Sequence, residues 1–593
     1  METPMNKVFD GLAELATRRK KWVILLVVLI SIVAAIGAAR LHVTFHMRVF
    51  FDYPGNKLVE ELDRYNDEFG DDGGFAVVVV KAKDVFTPPV LRYVQDLSRK
   101  LKRKPHFRRI LSIALNTIPR GHGDEVVTGP LFERVPTDPA TLKHIRKTAL
   151  SSRLVVPRLV SADGRYALIA AEFKQPVARI SADEAEAGNN AVREVMASTP
   201  VPPGVHVALG GTVVAEEAAP KVMVHDQSVF VPLGLALIVL VMLLSFGSFW
   251  AVLLAFAEVI LTLLWTFGFM GFTGMSINIM SSSTGTILMV YGLLDSVFVL
   301  ALFYKLYADR SGEGRAHVHE AMRTTIRRIG PACLITSSTT AVGFASFATG
   351  SLPLVKTYGI GLAFGVLVAF FSSIIWMPAL ACLLPPPKRH RMRRSPVSRL
   401  VSVGLAGLGR FTRRWRWLII AGATAVFAIS MVTFAKKAVI SAPVLKEMPD
   451  DMEGMEAIYL VADHLLGALS TGVVIAGEPG SMQDPKLLQK LDRIDEWAEK
   501  IGIVMTSLSP SDLIRDMHRA FNGGSDKFDR IPDDRGLISQ YLALLDPPTR
   551  SDFITDDYAR THLRIMCKEV GSRQWRRELF QPLQRKVKAL LPG

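Results

Sequence analysis

The stretch Thr17–Ala39, TRRKKWVILLVVLISIVAAIGAA, returns 395 residues later as Thr412–Phe434, TRRWRWLIIAGATAVFAISMVTF. Each copy is a basic cluster running into an apolar segment close to the ~20 residues that a helix needs to cross ~30 Å of hydrocarbon. A secretory signal shares the basic start and the small-residue end of the first copy. Its recurrence in mid-chain argues instead for a retained membrane span and for an internal duplication.

Five further apolar runs lie between the copies: Val229–Phe246, Phe249–Phe272, Ile277–Tyr304, Pro331–Ala348 and Tyr358–Leu384. The chain of 593 residues is 49% hydrophobic and 21% charged, which disfavours a soluble enzyme, a disordered chain or a collagen-like fibre. Its three cysteines exclude a disulfide scaffold. The net charge of +15 does not point to nucleic acid, because ten Lys or Arg and no Asp or Glu fall between Lys388 and Arg416, wedged between apolar spans. That is the pattern of a cytoplasmic membrane loop. The expected layout is a cytoplasmic N-terminus (1–21), a first span (22–39) and a first periplasmic α+β domain (40–228). A five-span bundle (229–384) follows, with a cytoplasmic amphipathic helix at 313–328. A basic cytoplasmic linker (385–416), a seventh span (417–434) and a second periplasmic α+β domain (435–593) complete the chain. On the amphipathic helix Val318, Met322 and Ile326 recur every four residues, with Arg315, Arg323 and Arg327 on other faces.

The duplication extends into the polar blocks. Pro54 and Pro449 follow each copy at the same offset. Phe75–Val80 and Thr471–Ile475 read as buried strands, Val90–Leu101 and Leu487–Glu499 as helices, and Arg109–Leu115 and Ile501–Leu508 as strands again. In the first block Leu154–Leu159 and Arg165–Phe173 flank the turn Ala162-Asp163-Gly164, Ala182–Ala197 is helical, and Gly204–Leu209 is a closing strand. The second copy stops at Pro592-Gly593, where the first has its closing strand and five more spans. The expectation is a truncated second repeat, whose sheet lacks a strand and keeps a bare edge.

Three motifs stand out in the bundle: Gly292-Leu-Leu-Asp295-Ser-Val-Phe298, the string His319–Phe344 (HEAMRTTIRRIGPACLITSSTTAVGF) and Met377-Pro-Ala-Leu380. With them, the order of one span, an α+β domain, five clustered spans and a repeat resembles the RND superfamily. The nearer resemblance is to its lipid-handling branches: the MmpL and hopanoid-associated transporters, and the Patched and Niemann–Pick type C proteins with sterol-sensing domains. The resemblance implies an α-helical membrane protein with α+β extracytoplasmic domains. It also implies a bacterial inner-membrane location, a proton-driven mechanism and a lipid cargo, with sterol or hopanoid as the class. The family usually places the other half of its proton path and a substrate groove in a second bundle, which this chain lacks. Partners implied are that second half, a homo-oligomeric copy or periplasmic acceptor proteins.

Asp295 is the first candidate for chemistry. A lone carboxylate inside an apolar helix costs roughly 2.5–3.5 kcal/mol on insertion scales and is functional by default. A proton relay needs a group that gains and loses a proton, and the resemblance agrees. Tyr291, one turn earlier on the same face, is a candidate donor to it, and Gly292 permits close helix approach. Glu258 in the third span falls at the same expected depth as Asp295 and is a candidate relay partner. Ser281, Ser282, Ser283 and Thr284, and Ser337, Ser338, Thr339 and Thr340, supply a polar lining or interhelical glue. Gly361 and Gly365 form a small-residue packing pair. No phosphate loop, HExxH or CxxC is present, so no cofactor or metal is expected. His42 and His46 are a weak metal pair with no third ligand. The first function read from the chain is a proton-motive-force-driven lipid transporter. The alternatives are a non-transporting lipid-sensing module and a protein-translocation accessory of the SecDF type.

Overall fold

The computed structural model describes residues 4–43, 48, 51, 53, 55–71, 73–122, 125–309, 314–385, 407–438, 448–545 and 547–591. The chain divides into a membrane-helix unit, Met1–Asn56 with Pro220–Ala438, and an α+β unit, Lys57–Ala219 with Val439–Gly593.

Among the described residues, seven helices are long and apolar enough to cross a membrane. The first span is Lys20–Ala38, the second belongs to Thr212–Phe246, and the third and fourth are Phe249–Phe272 and Thr284–Asp309. The fifth belongs to Arg315–Ala345 and the seventh to Arg416–Lys437. The sixth runs from Pro353 to Phe371, passes through a π turn at Ser372–Trp376 and ends as Met377–Ala381.

Besides shifts of a few residues at several ends, three elements differ from the sequence reading. The second span is not a separate element starting at Val229. It is the end of one 35-residue helix, about 52 Å long at ~1.5 Å per residue, that runs through Pro220 and Pro232. The amphipathic segment is not a separate helix on a membrane surface, because it continues through Pro331 into the fifth span. Its apolar face is covered by protein: Val318, Met322 and Ile326 are buried in one cluster with Phe9, Ala13 and Ala16. Those residues belong to a helix, Pro4–Arg18, within the segment read as a plain N-terminus. A Cβ at Gly330 would come within 2.3 Å of Phe9 Cδ1, so only glycine lets that ring sit there. Arg327 Nη2 donates to Asp10 Oδ2 at 2.9 Å across the same contact.

The first and third spans cross at a run of small residues. A Cβ at Gly271 would lie 1.8 Å from the Gly37 carbonyl oxygen, and one at Gly268 would lie 2.5 Å from that of Ala34. The two backbones therefore touch directly, as small residues allow in lipid. The seventh span is exposed along its whole length, from Arg416 to Lys437.

In the α+β unit, a four-stranded antiparallel sheet has the order β2 (Phe107–Leu111), β5 (Tyr166–Phe173), β1 (Phe75–Lys81), β6 (His206–Gly210), and β3 (Thr117–His122) pairs with β4 (Glu125–Pro130) as a separate two-stranded sheet. A second sheet has the order β8 (Val504–Leu508), β9 (Arg560–Cys567), β7 (Leu469–Ala476). The duplication expected for strand–helix–strand is present, with helices Pro88–Lys102 and Pro485–Glu499 between the strands. The β6 position has no counterpart in the second sheet among the described residues, and β7 forms an edge.

Each sheet is covered on one face by a helix from the other half of the duplication. The helix Met455–His464 puts Ala457 against Val79, Leu168 and Ala208 of the first sheet. The helix Lys57–Phe69 lays Tyr65 and Phe69 over His562 of the second. Helices on both faces explain why every residue of β5 is buried, a pattern that apolar runs rather than alternation report.

The strand expected at Leu154–Leu159 is absent. Only Val160 bridges to Ala167. The polar groups before it are engaged elsewhere: Ser152 Oγ donates to Asp516 Oδ2 at 2.7 Å and Arg153 pairs with Asp512 at 3.0 Å. Leu154 is buried with Leu513 and Met517.

Candidate functional site

Asp295 and Glu258 lie inside the helical bundle, 8% and 0% exposed. Contacts at glycines fix how the helices align. A Cβ at Gly365 would come within 2.6 Å of Leu288 Cδ1 and 2.9 Å of Thr266 Oγ1, so these three residues share one layer. A Cβ at Gly361 would lie 3.3 Å from Met270 Sδ, which shows that the third and sixth spans run antiparallel in the same register. Gly292 faces Val259 Cγ2 at 3.5 Å and Gly285 faces Phe267 Cζ at 3.8 Å, which sets the antiparallel register of the third and fourth spans.

Two helical turns along, about 11 Å from the Gly365 layer at ~1.5 Å per residue, these registers bring Glu258, Asp295, Ser296, Ser372 and Ser373 to one level. Electrostatics agrees with geometry: Asp295 is within reach of Glu258, and both are within reach of Cys333 in the fifth span. Ser337 of the fifth span donates to Asp295 Oδ2 at 3.3 Å. The layer therefore crosses the third, fourth, fifth and sixth spans, and the π turn begins in it.

Tyr291 does not make the bond expected of it. Its ring stands edge-on to Phe344 at 6.2 Å and packs in the apolar cluster of Leu288 and Leu362, so Ser337 takes its place as the donor to Asp295. Gly292 leaves room for an ordinary contact with Val259, whereas a Cβ at Gly365 would collide with Leu288 and one at Gly361 would need Met270 to give by a few tenths of an ångström. Ser281, Ser282 and Ser283 form a short 3-10 turn before the fourth helix instead of lining its outer half, which starts at Thr284. Ser281 Oγ receives the Asn278 N–H at 2.8 Å, Ser282 Oγ donates to the Ile279 carbonyl, and Ser283 Oγ lies 2.9 Å from Tyr358 Oη. Thr284 Oγ1 is buried without a partner. Thr339 and Thr340 turn away from the layer and donate to the Thr336 carbonyl, each at 2.9 Å. Of the metal pair, His46 lies outside the described residues.

Several groups escaped sequence reading. Thr262, Ser296, Ser372 and Trp376 each hold a buried polar atom with no partner, as do both carboxylate oxygens of Glu258. Lys20 Nζ donates to the Cys382 carbonyl at 2.9 Å and lies 3.0 Å from His319 Nε2, tying the first, fifth and sixth spans together. Spacing alone points to none of these, except that Thr262 falls one turn after Glu258 and Ser296 adjoins Asp295.

Seven long apolar helices among the described residues, with a layer of carboxylates and joined to a duplicated α+β unit, are the features of a polytopic membrane protein. The model of the MMPL family matches residues 51–421, and the chain belongs to that family. Its members are RND-type transporters of hydrophobic substrates rather than enzymes. A Methanocaldococcus jannaschii chain named only as a membrane protein is 21% identical over 403 residues, 65% of this chain and 96% of that relative.

Proposed function

We propose that this chain is a proton-motive-force-driven transporter, or part of one, that moves a membrane lipid of the sterol or hopanoid class from the inner membrane of a bacterium into the periplasm. The supporting observation is the buried layer holding Asp295 and Glu258. Neither carboxylate has a basic partner among the described residues, so protons are the natural counter-charge for them. Asp295 is the primary carrier in this reading and Glu258 its partner, while Tyr291 serves packing.

The sidedness follows the basic segments: the N-terminus and the linker 385–416 are cytoplasmic, and the α+β unit is periplasmic. A second bundle, a second copy or periplasmic acceptor proteins are the partners. The exposed seventh span and the unpaired edge of β7 offer surfaces for the first two. The deciding experiment is lipid flux in vesicles under an imposed pH gradient. Gradient-driven flux of a polycyclic lipid supports the reading. Lipid binding without flux would replace it with a sensor. No lipid binding by the folded chain would favour the translocation accessory. Binding must be measured on the whole chain, because one face of the 57–219 sheet is covered by Met455–His464.

A further inference from the structure

The sixth span is α-helical until Phe371, winds through one π turn at Ser372–Trp376 and resumes at Met377. Such single turns disturb an otherwise regular helix and occur often at functional sites. This one starts at the level of Glu258 and Asp295, as the glycine registers require. The third span, the fourth span and the π turn pack on one another. Val259, Val299 and Ile374 close an apolar cluster beside the layer, while Leu261 and Trp376 share another with Val23 and Val27 of the first span.

The hydroxyls in this region divide into two kinds. Thr266 donates to the Thr262 carbonyl at 2.7 Å and Ser373 to the Phe370 carbonyl at 2.9 Å, the ordinary back-bond to the preceding turn. Thr262, Ser296 and Ser372 make no such bond. Both oxygens of Glu258 and the indole N–H of Trp376, in the same π turn as Ser372, are likewise buried and without a partner. A buried polar group left unsatisfied costs about 1–3 kcal/mol, so several of them on the third, fourth and sixth spans, which pack together near the level of Glu258, point to a use other than packing. The set also has a chemical signature. An indole N–H only donates and cannot ligate a cation. Three hydroxyls that both donate and accept suit proton exchange through intervening water.

We propose that the π turn is the positioning element for proton transfer between Glu258 and Asp295, with Ser372 and Trp376 orienting Glu258 and with Ser296 and Thr262 completing the path through water. This rests on the proton-driven reading above. In the transfer, the O–H bond of a protonated Glu258 breaks and an O–H bond forms on the Asp295 carboxylate. The negative charge passes the opposite way, and nothing is oxidised or reduced. The titratable groups facing Glu258 are Asp295 from the fourth span and Cys333 from the fifth; the π turn contributes Ser372, Ser373 and Trp376, none of them charged.

The test needs no cargo. The full chain, reconstituted in phospholipid vesicles, is titrated by infrared difference spectroscopy of its protonated carboxyl groups. Glu258→Gln and Asp295→Asn assign the two bands. Ser372→Ala and Trp376→Phe should each move the midpoint of the Glu258 band by about one pH unit, a tenfold change in proton affinity. Ser373→Ala, whose hydroxyl is already spent on Phe370, should leave it in place. Unmoved midpoints in both π-turn variants would overturn the proposal, as would a Glu258 band that answers to sodium at fixed pH, which would make the layer a cation site. If Asp295→Asn still carried lipid at the wild-type rate, the proton-driven reading itself would fall, whatever the π-turn variants did.

Discussion

Asp295 and Gly365 show how differently single residues act in one bundle. Asp295→Asn is nearly isosteric and removes a charge from hydrocarbon, so insertion should survive. Transport should stop, because an amide cannot cycle a proton; normal expression with wild-type flux would exclude Asp295 as the carrier. Gly365→Ala and Gly292→Ala should diverge. The first drives a methyl to within 2.6 Å of Leu288 and should cost about 1–3 kcal/mol by overpacking, whereas the second meets Val259 at 3.5 Å and should be tolerated. Thermal unfolding of the two variants in the same detergent decides it, and equal midpoints would contradict the packing described. In the α+β unit, burial pushes the Asp512 carboxyl up to about 7 despite the opposing Arg153 guanidinium. A carboxyl raised in the folded state favours folding at low pH, and that contribution is lost as pH rises from about 4 through 7. Local stability around the helix Pro510–Phe521, read by hydrogen exchange on the whole chain, should therefore decline over that interval. Asp512→Asn should flatten the decline, and an unchanged slope would assign the pH dependence elsewhere.

Among the elements, the exchanged helices carry the strongest architectural constraint. His562 illustrates how. Its Nε2–H donates to the Asp552 carbonyl at 2.7 Å, which leaves Nδ1 to accept from Tyr65 Oη at 2.5 Å. Burial, with Arg564 nearby, drives the imidazole down to about 3, so it stays neutral. Tyr65→Phe removes the donor that Nδ1 needs and should cost about 1–3 kcal/mol. The expected result is faster exchange in both Lys57–Phe69 and β9. Loss of protection in the helix alone would mean that the bond does not hold the two together. The strand expected at Leu154–Leu159 failed for a related reason: periodicity sees apolar residues but not that Ser152 and Arg153 spend their polar groups on Asp516 and Asp512, more than 350 residues away.

Across the whole molecule, sidedness is the assumption on which the transport reading depends. A cysteine placed at Ser395 should react with an impermeant reagent only after cells are permeabilised. Labelling of intact cells would invert the topology and put the α+β unit in the cytoplasm.

The sequence by itself determined the apolar spans and the duplication, because length and hydropathy record the cost of placing backbone and charge in lipid, and both are local; the family was legible only through the resemblance carried by Gly292–Phe298, His319–Phe344 and Met377–Leu380. Asp295 and Glu258 were legible for the same reason: an acid in an apolar run is conspicuous wherever the run folds. Only the tertiary structure decided what surrounds them. The choice of Ser337 over Tyr291 as the donor to Asp295 and the level of the π turn both depend on the register between helices. That register is set where Gly365 admits Leu288 and Thr266, and where Gly37 meets Gly271. Contacts of that kind join residues far apart in the chain, and no periodicity along one helix encodes its partner.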